Sequence, residues 1–387
     1  MIPRLPERMA AMGASPYSAL AGRAAAAPGE KYPFHVGDSW MEPPVGCRMG
    51  DLRTSDWPGL HAYTDVRGWP RLVERLAAWT SDRWGVPVAP DEILVTAGGT
   101  GGLGALAGAT LDPGDEVLIL APYWPLIAGI VRSFHAVPIA VPFWVPAADS
   151  APVVDAETAV AAVDVLCTPR TRVLYVNSPH NPTGGILPRE WIDALVTWAR
   201  GRGLWIWSDE VYERLGWAAP HVPIRPIAPE CTISVHSFSK SFAMAGNRCG
   251  WLVGPRDVLA AAAKVGINTY YHAPTPAMVA GFRALELGDT FVDAAREQYR
   301  DTAQMCAEIL GVPVPQGATF LFLDVADAAE RAGGLPALLE RAADQGILVA
   351  PGPSFGPYPR HLRLCFTAAP PDVTRRGIEK LAAILGR

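Results

Sequence analysis

Four short strings in this 387-residue chain place reactive side chains at the ends of apolar runs. The first is Ser237-Phe238-Ser239-Lys240, at the end of the run TISVHS. A serine three residues before a lysine is also the nucleophile motif of penicillin-recognising serine enzymes. That chemistry needs S-D-N and K-T-G elements as well, and neither string occurs here. The other use of Lys240 is as an amine that forms an imine with a carbonyl cofactor, which requires surroundings that keep a lysine partly neutral. Lysine chemistry has few addresses in this chain. Only Lys31, Lys240, Lys264 and Lys380 stand against 29 arginines.

The second string carries Asp209, directly after the run LWIWS. A carboxylate buried there needs a cationic partner, and a protonated pyridine nitrogen is one that proteins pair with Asp. Capping the following segment is its plainer use. Tyr212 presents a phenol from the same stretch. Asn181, in His180-Asn181-Pro182-Thr183-Gly184, sits in a turn-type string, where a structural Asx-turn is the simple reading. The fourth string, Gly99-Thr100-Gly101-Gly102-Leu103-Gly104, matches the dinucleotide fingerprint G-x-G-x-x-G. A nicotinamide-binding motif normally opens the first βαβ unit, whereas ninety residues precede this one. The general physics remains: glycines let backbone N–H groups approach an anion, a helix N-terminus favours phosphate, and Thr100 adds a hydroxyl.

These strings work together only if a sheet gathers them. Between about residues 90 and 255, short apolar runs (EILVTA, DEVLILAP, RVLYVNSP, LWIWSDE, TISVHS, CGWLVGP) alternate with helix-like stretches such as GLGALAGATL, IAGIVRSF and PREWIDALVTWARGRG. That alternation predicts an α/β fold with a mostly parallel wound sheet, covered by helices on both faces. After Pro276 come long helices over roughly 275–310, a strand at ATFLFLDV, a helix near 334–344, a strand near 361–366 and a final helix from about 371. This predicts a smaller α+β domain. The expected division is 45–275 for the large domain, and 1–44 with 276–387 for the small one, the N-terminal segment lacking a core of its own. In such sheets ligands bind beyond the carboxyl ends of the strands, where all four strings lie.

Composition narrows the partners. Half the residues are apolar and the net charge is −5, with no basic tail, so neither nucleic acid nor an anionic membrane surface is indicated. Six scattered cysteines show no metal-ligand spacing, so no metal is expected and a reduced, cytoplasmic protein is the simplest reading. The first 23 residues interrupt their apolar runs with Arg4, Glu7, Arg8 and Arg23. They read as neither a signal peptide nor a membrane span.

The strings SPHNPTGG (178–185), SDEVYERL (208–215) and SFSKSFAMAGNRCGW (237–251) together resemble the class I/II aminotransferases, fold type I of the pyridoxal-5'-phosphate-dependent transferases. The resemblance extends in order through GLHAYTDVRGWPRLVERL (59–76), TAGGTGGLGAL (96–106), APYWP (121–125), PGPSFG (351–356) and HLRLCF (361–366). It implies that Lys240 is the Schiff-base lysine and the base that moves the substrate proton. Asp209 would be the partner of the pyridine nitrogen, and Asn181 and Tyr212 the pair that hydrogen-bonds the ring oxygen. Trp124 would stack on the ring. Gly99, Thr100, Ser237, Ser239 and Arg248 would form the phosphate cup. Tyr63 would reach the phosphate of a neighbouring subunit, implying a homodimer with shared active sites. Arg363 would clamp the substrate α-carboxylate with its bidentate fork, and Gly37 would add a backbone contact.

Two stretches depart from the family pattern. Gly37-Asp38-Ser39-Trp40-Met41-Glu42 replaces its G-x-P-D-F-like string, and Leu126-Ile127 replaces a second aromatic after the P-x-Y/W turn. The segment GINTYYHAP (266–274) holds no arginine for an acidic side chain. With Trp40, Tyr32 and Phe34 available as an apolar wall, the substrate side leans toward a neutral or aromatic amino donor. The expectation is therefore an aminotransferase that exchanges an amino group between an L-amino acid and a 2-oxo acid. Elimination at the β or γ carbon, cyclisation and oxidation are the alternatives, because all begin from the same carbanion.

Overall fold

The computed structural model describes residues 18–145 and 152–387. Seven strands form its main sheet: β1 (Ile93–Thr96), β2 (Glu116–Ala121), β3 (Val137–Pro142), β4 (Thr171–Asn177), β5 (Trp205–Asp209), β6 (Thr232–Ser237) and β7 (Gly250–Val253). Their spatial order is β1-β7-β6-β5-β4-β2-β3. β7 runs antiparallel to both of its neighbours, and every other pairing is parallel. Strands covered on both faces require near-continuous apolar runs, and β2 and β6 are buried along their whole length. The helices Gly98–Thr110 and Arg256–Thr269 close one face, while Ala156–Asp164 and Arg189–Gly201 close the other.

Each apolar run expected to be a strand in this region is one. The edge strand β3 escaped the sequence pattern because it is mostly half-exposed and carries prolines at two of its six positions. The antiparallel placement of β7 also escaped it, since hydrophobic periodicity carries no information about strand direction.

A second, three-stranded antiparallel sheet joins β8 (Phe320–Asp324), β9 (Ala350–Pro351) and β10 (His361–Cys365) in the order β8-β10-β9. The helices Asp289–Leu310, Leu335–Asp344 and Pro371–Leu385 pack around it. Tyr32 and Phe34 are buried in the same cluster. The Tyr32 N–H donates to the Gly346 carbonyl at 2.9 Å, and the Cys365 N–H donates to the Phe34 carbonyl at 2.7 Å. The helix Thr275–Leu287 packs instead against Pro70–Trp84, beside β1 and β7. Among the described residues no helix is long and apolar enough to cross a membrane.

In the main sheet, β2 to β3 builds outward in one direction and β4 to β5 to β6 in the other, so the carboxyl ends of the parallel strands open onto one crevice. β7 enters that edge at Gly250, opposite both Thr96 and Ser237. A Cβ there would lie 2.6 Å from the His236 carbonyl oxygen and 2.8 Å from the Gly98 and Gly99 backbone. Only glycine allows the approach. Gly250→Ala is expected to lower stability by about 1–3 kcal/mol in a denaturant titration, the usual cost of overpacking. Gly246→Ala, with no heavy atom within 4 Å of the added Cβ, should stay within about 0.5 kcal/mol of the parent.

Candidate active site

A cleft of about 1010 Å³ opens at these strand ends. At the end of β1 the chain enters the helix Gly98–Thr110 through Gly98 at φ +73°, where a Cβ would lie 2.5 Å from the Arg248 guanidinium. The N–H groups of a helix's first turn have no intrahelical acceptor, and here no side chain caps them. Gly99 and Thr100 of that turn line the cleft. At the end of β6, Ser237 accepts the Ser239 N–H at 3.1 Å, and its hydroxyl donates to the Ser239 Oγ at 2.7 Å. Arg248 holds a left-handed backbone at φ 57° and donates to the Ala245 carbonyl at 2.8 Å. Backbone N–H groups, three hydroxyls and a guanidinium thus meet at one end of the cleft. That donor set suits a phosphate.

Deeper in, Asp209 ends β5 with 4% of its surface exposed. The Tyr175 phenol donates to its Oδ2 at 2.6 Å, and the Val211 N–H approaches Oδ1 at only 3.4 Å. Burial raises the Asp209 pKa to about 6, against the effect of these hydrogen bonds. Lys240 donates to the Gly37 carbonyl at 2.5 Å, and burial lowers its proton affinity below that of an ordinary lysine even though Asp38 acts the other way. A buried amine held toward its neutral form is the form that attacks a carbonyl. Tyr212 is buried edge-on to Phe320 at 5.7 Å, and burial pushes its phenol well above the usual tyrosine range.

Arg363, on β10, is buried and donates to the Asn181 side-chain oxygen at 3.1 Å and to the His35 carbonyl at 2.6 Å. Its guanidinium lies 4.5 Å from the Phe320 ring centroid and 4.9 Å from that of Phe355. Among the described residues its Nε has no hydrogen-bond partner. Trp124 precedes the helix Pro125–Ser133, whose first position is the proline expected there. Gly37, Gly99, Thr100, Trp124, Asn181, Asp209, Tyr212, Ser237, Ser239, Lys240, Arg248 and Arg363 all line this one cleft.

Three residues expected as an apolar wall beside the substrate stand elsewhere in the described chain. Tyr32 and Phe34 belong to the core around the three-stranded sheet, since their rings fill space under the N-terminal segment. Trp40, 37% exposed, is absent from the cleft wall, and its backbone N–H donates to the Thr367 carbonyl at 2.9 Å. Tyr63, expected to reach the phosphate of a neighbouring subunit, is 81% exposed, with its ring centroid 4.8 and 5.6 Å from those of Tyr271 and His272.

Three residues were not singled out from the sequence. Tyr175 and Asn177 lie two apart in β4, and so on one face of that strand. Asn177 donates to the Asp209 carbonyl at 2.8 Å and accepts the Asn181 N–H at 2.8 Å. Two polar residues at this spacing in an apolar run were the available signal. Arg132 lines the cleft from the last turn of the helix Pro125–Ser133, and its position reads in sequence only as favourable to a helix C-terminus.

The model for the aminotransferase class I and II family matches residues 48–381. The chain belongs to that family. The aspartate/prephenate aminotransferase of Thermus thermophilus is 36% identical over 340 residues, 85% of this chain and 84% of that protein. The aspartate aminotransferase of Streptomyces avermitilis is 31% identical over 374 residues, 91% of this chain and 88% of its own length. A double mutant of Thermus thermophilus aspartate aminotransferase superposes with a TM-score of 0.87 at 31% identity, covering 99% of this chain and all of that one. The chain is an aminotransferase of fold type I, and its family uses pyridoxal 5'-phosphate. The residues fit that group: an anion cradle at one end, a half-buried lysine amine kept toward neutrality, and a buried carboxylate with no cation on either oxygen among the described residues.

The last of these sets a pH dependence in this aminotransferase when its cofactor is stripped. A carboxyl whose folded pKa is raised contributes stability below its unfolded value, lost as pH rises through about 6. Relative to Asp209→Asn, the stripped parent should lose on the order of 3 kcal/mol between about pH 4 and pH 7. Adding pyridoxal phosphate should restore most of it, as read by denaturant midpoints across pH.

Proposed function

We propose that this aminotransferase exchanges an amino group between an L-amino acid and a 2-oxo acid, with Lys240 as the reacting amine. The observation that carries the reading is one cleft in which the half-buried Lys240 stands among Asp209, Arg363 and the anion cradle. When bound, the cofactor supplies an aldehyde that links to amines and a cationic ring that takes up the electron pair released at the substrate Cα. Asp209 holds the ring nitrogen in its protonated form. Asn181 and Tyr212 direct their polar atoms at the ring oxygen, and Trp124 covers one ring face. Gly99, Thr100, Ser237, Ser239 and Arg248 hold the phosphate. Arg363, already aimed by Asn181 and His35, grips the substrate α-carboxylate, with Gly37 beside it. Lys240 then moves the proton at its Nζ from the substrate Cα.

The cleft wall holds one further cation, Arg132. Among the described residues the Arg132 side chain makes no hydrogen bond or ion pair, while its carbonyl accepts the His135 N–H at 3.0 Å. Asp209, Arg248, Arg363 and Lys240 each have a counterpart in the reading above, and Arg132 alone has none. It supports an amino donor or acceptor with a distal anionic group, in keeping with relatives named for aspartate and prephenate. A second reading, a neutral or aromatic donor, is supported by Val36, Leu103 and Leu126 on the same wall.

Tyr63 is read as reaching the phosphate of a second copy. Its exposed ring beside Tyr271 supports a homodimer with shared active sites. Residues 45–275 are read as the cofactor-holding domain and 1–44 with 276–387 as the smaller one, although the helix Thr275–Leu287 packs with the former. Free cysteines throughout agree with a reducing, cytoplasmic setting.

Borohydride reduction of the holoenzyme should attach the cofactor to Lys240, and Lys240→Ala should abolish both the attachment and the visible cofactor band. A Lys240→Ala protein that keeps the band overturns the assignment. Adding each amino acid alone should convert bound pyridoxal phosphate to stoichiometric pyridoxamine phosphate for good donors; release of ammonia and a 2-oxo acid instead would indicate elimination. Arg132→Gln should lower kcat/KM roughly three- to tenfold for donors with a distal carboxylate, the scale of a partly solvated ion pair, and leave neutral donors unchanged.

A further inference from the structure

Tyr175 has no part in the reading above, yet it makes the shortest hydrogen bond to the Asp209 carboxylate. We propose that Tyr175 is a positioning residue for Asp209: its phenol occupies Oδ2 and so leaves Oδ1 as the oxygen presented to the cofactor ring. The inference rests on the proposed pairing of Asp209 with the ring nitrogen.

The geometry comes from the parallel register of β4 and β5, in which Tyr175 lies opposite Trp207 and Asn177 opposite Asp209. The Tyr175 side chain therefore reaches diagonally along the sheet to the carboxylate two residues on, at 2.6 Å. Asn177, on the same face of β4, holds the Asp209 main chain through its carbonyl at 2.8 Å. One strand thus restrains both the backbone and the side chain of Asp209. Among the described residues the remaining oxygen, Oδ1, has only the 3.4 Å contact with the Val211 N–H, and has room in its coordination for a strong donor.

A hydroxyl suits this task because its protonation does not change. Burial and the adjacent carboxylate push the Tyr175 phenol well above the ordinary tyrosine range, so it donates at every working pH. A histidine here would donate or not according to its own charge. The other titratable groups that act on Asp209 or on the phenol are Glu210 and Tyr212 from the stretch leaving β5 and His236 from β6. Glu210 disfavours the ionised carboxylate, whereas His236 and Tyr175 favour it. Glu210 is held by the Ser208 and Ser234 hydroxyls at 2.7 and 2.9 Å and by His221 at 2.9 Å, and His236 lies 3.2 Å from Glu213. These partners offset the nearer charges and leave Tyr175, among the described residues, as the one side chain bonded directly to the Asp209 carboxylate.

Tyr175→Phe keeps the ring in its buried place and removes only the donor. In the stripped full-length chain, the pH at which Asp209 titrates is read from the stability difference between the Asp209 and Asp209→Asn backgrounds. Tyr175→Phe should raise that midpoint by about one pH unit, a tenfold gain in proton affinity. Replacing Tyr175 with a ring-fluorinated tyrosine, a stronger donor, should lower it. In the holoenzyme, Tyr175→Phe should still be labelled on Lys240 by borohydride, while kcat falls roughly tenfold with KM for the amino donor within about twofold. An unmoved midpoint with additive stability effects would make Tyr175 a packing residue and overturn the inference. If Asp209→Asn itself leaves kcat and the cofactor band unchanged, the proposed role of Asp209 fails instead.

Discussion

Burial of the Asp209 carboxylate is the constraint around which this molecule is organised. An ionised group taken out of water is costly unless it is paired and hydrogen-bonded, and this one raises its own pKa to about 6 even with a phenol at 2.6 Å. The place that makes this tolerable is the carboxyl end of a central parallel strand, flanked on one side by β4 and on the other by β6. β4 supplies the Tyr175 and Asn177 donors, and β6 carries His236 and leads directly to Ser237 and Lys240. A single unsatisfied charge thus has its neighbours chosen by sheet topology.

The same strand ends serve two purposes because successive residues point to opposite sides. Asp209 and Ser237 line the cleft, while Glu210 and His236 turn into a buried polar network with Ser208, Ser234, His221 and Glu213. Such a network is favourable only to the extent that its members are satisfied, and among the described residues His221 Nδ1 and both His236 ring nitrogens have no hydrogen-bond partner. Its cost restricts how far the ends of β5 and β6 can shift. The rigidity matters for chemistry, since small displacements of positioned groups lose rate steeply. Opposite this edge, Arg363 is gripped between Phe320 and Phe355 and aimed by Asn181 and His35, so the three-stranded sheet and the main sheet meet at one guanidinium.

The strings around Lys240, Asp209, Asn181 and Gly99 were legible because each combines a reactive side chain with turn chemistry at the end of an apolar run. Tyr175 was overlooked for the opposite reason: inside RVLYVNSP it reads as one more aromatic in a buried strand, and only the register of β4 on β5 turns it toward a carboxylate. Trp40, Tyr32 and Phe34 show the converse. Aromatics near a glycine-containing loop suggested a substrate wall, but two of them fill the core of the smaller sheet and the third lies off the cleft wall. An aromatic side chain buries well in either setting, so its type does not tell a core from a pocket.

By itself the sequence determined the residue inventory of the site, the alternation of strands and helices, and membership of a family whose motifs follow one another in order. Those are local properties, set by side-chain type and spacing within a few residues. Only the tertiary structure decided that β7 enters antiparallel through Gly250, that Phe320 and Phe355 flank Arg363, that Tyr175 bonds Asp209, and that Arg132 faces the cleft without a partner among the described residues. Each depends on the register or packing of segments far apart in the chain. Periodicity states which face of an element is apolar, and is silent about which element it meets.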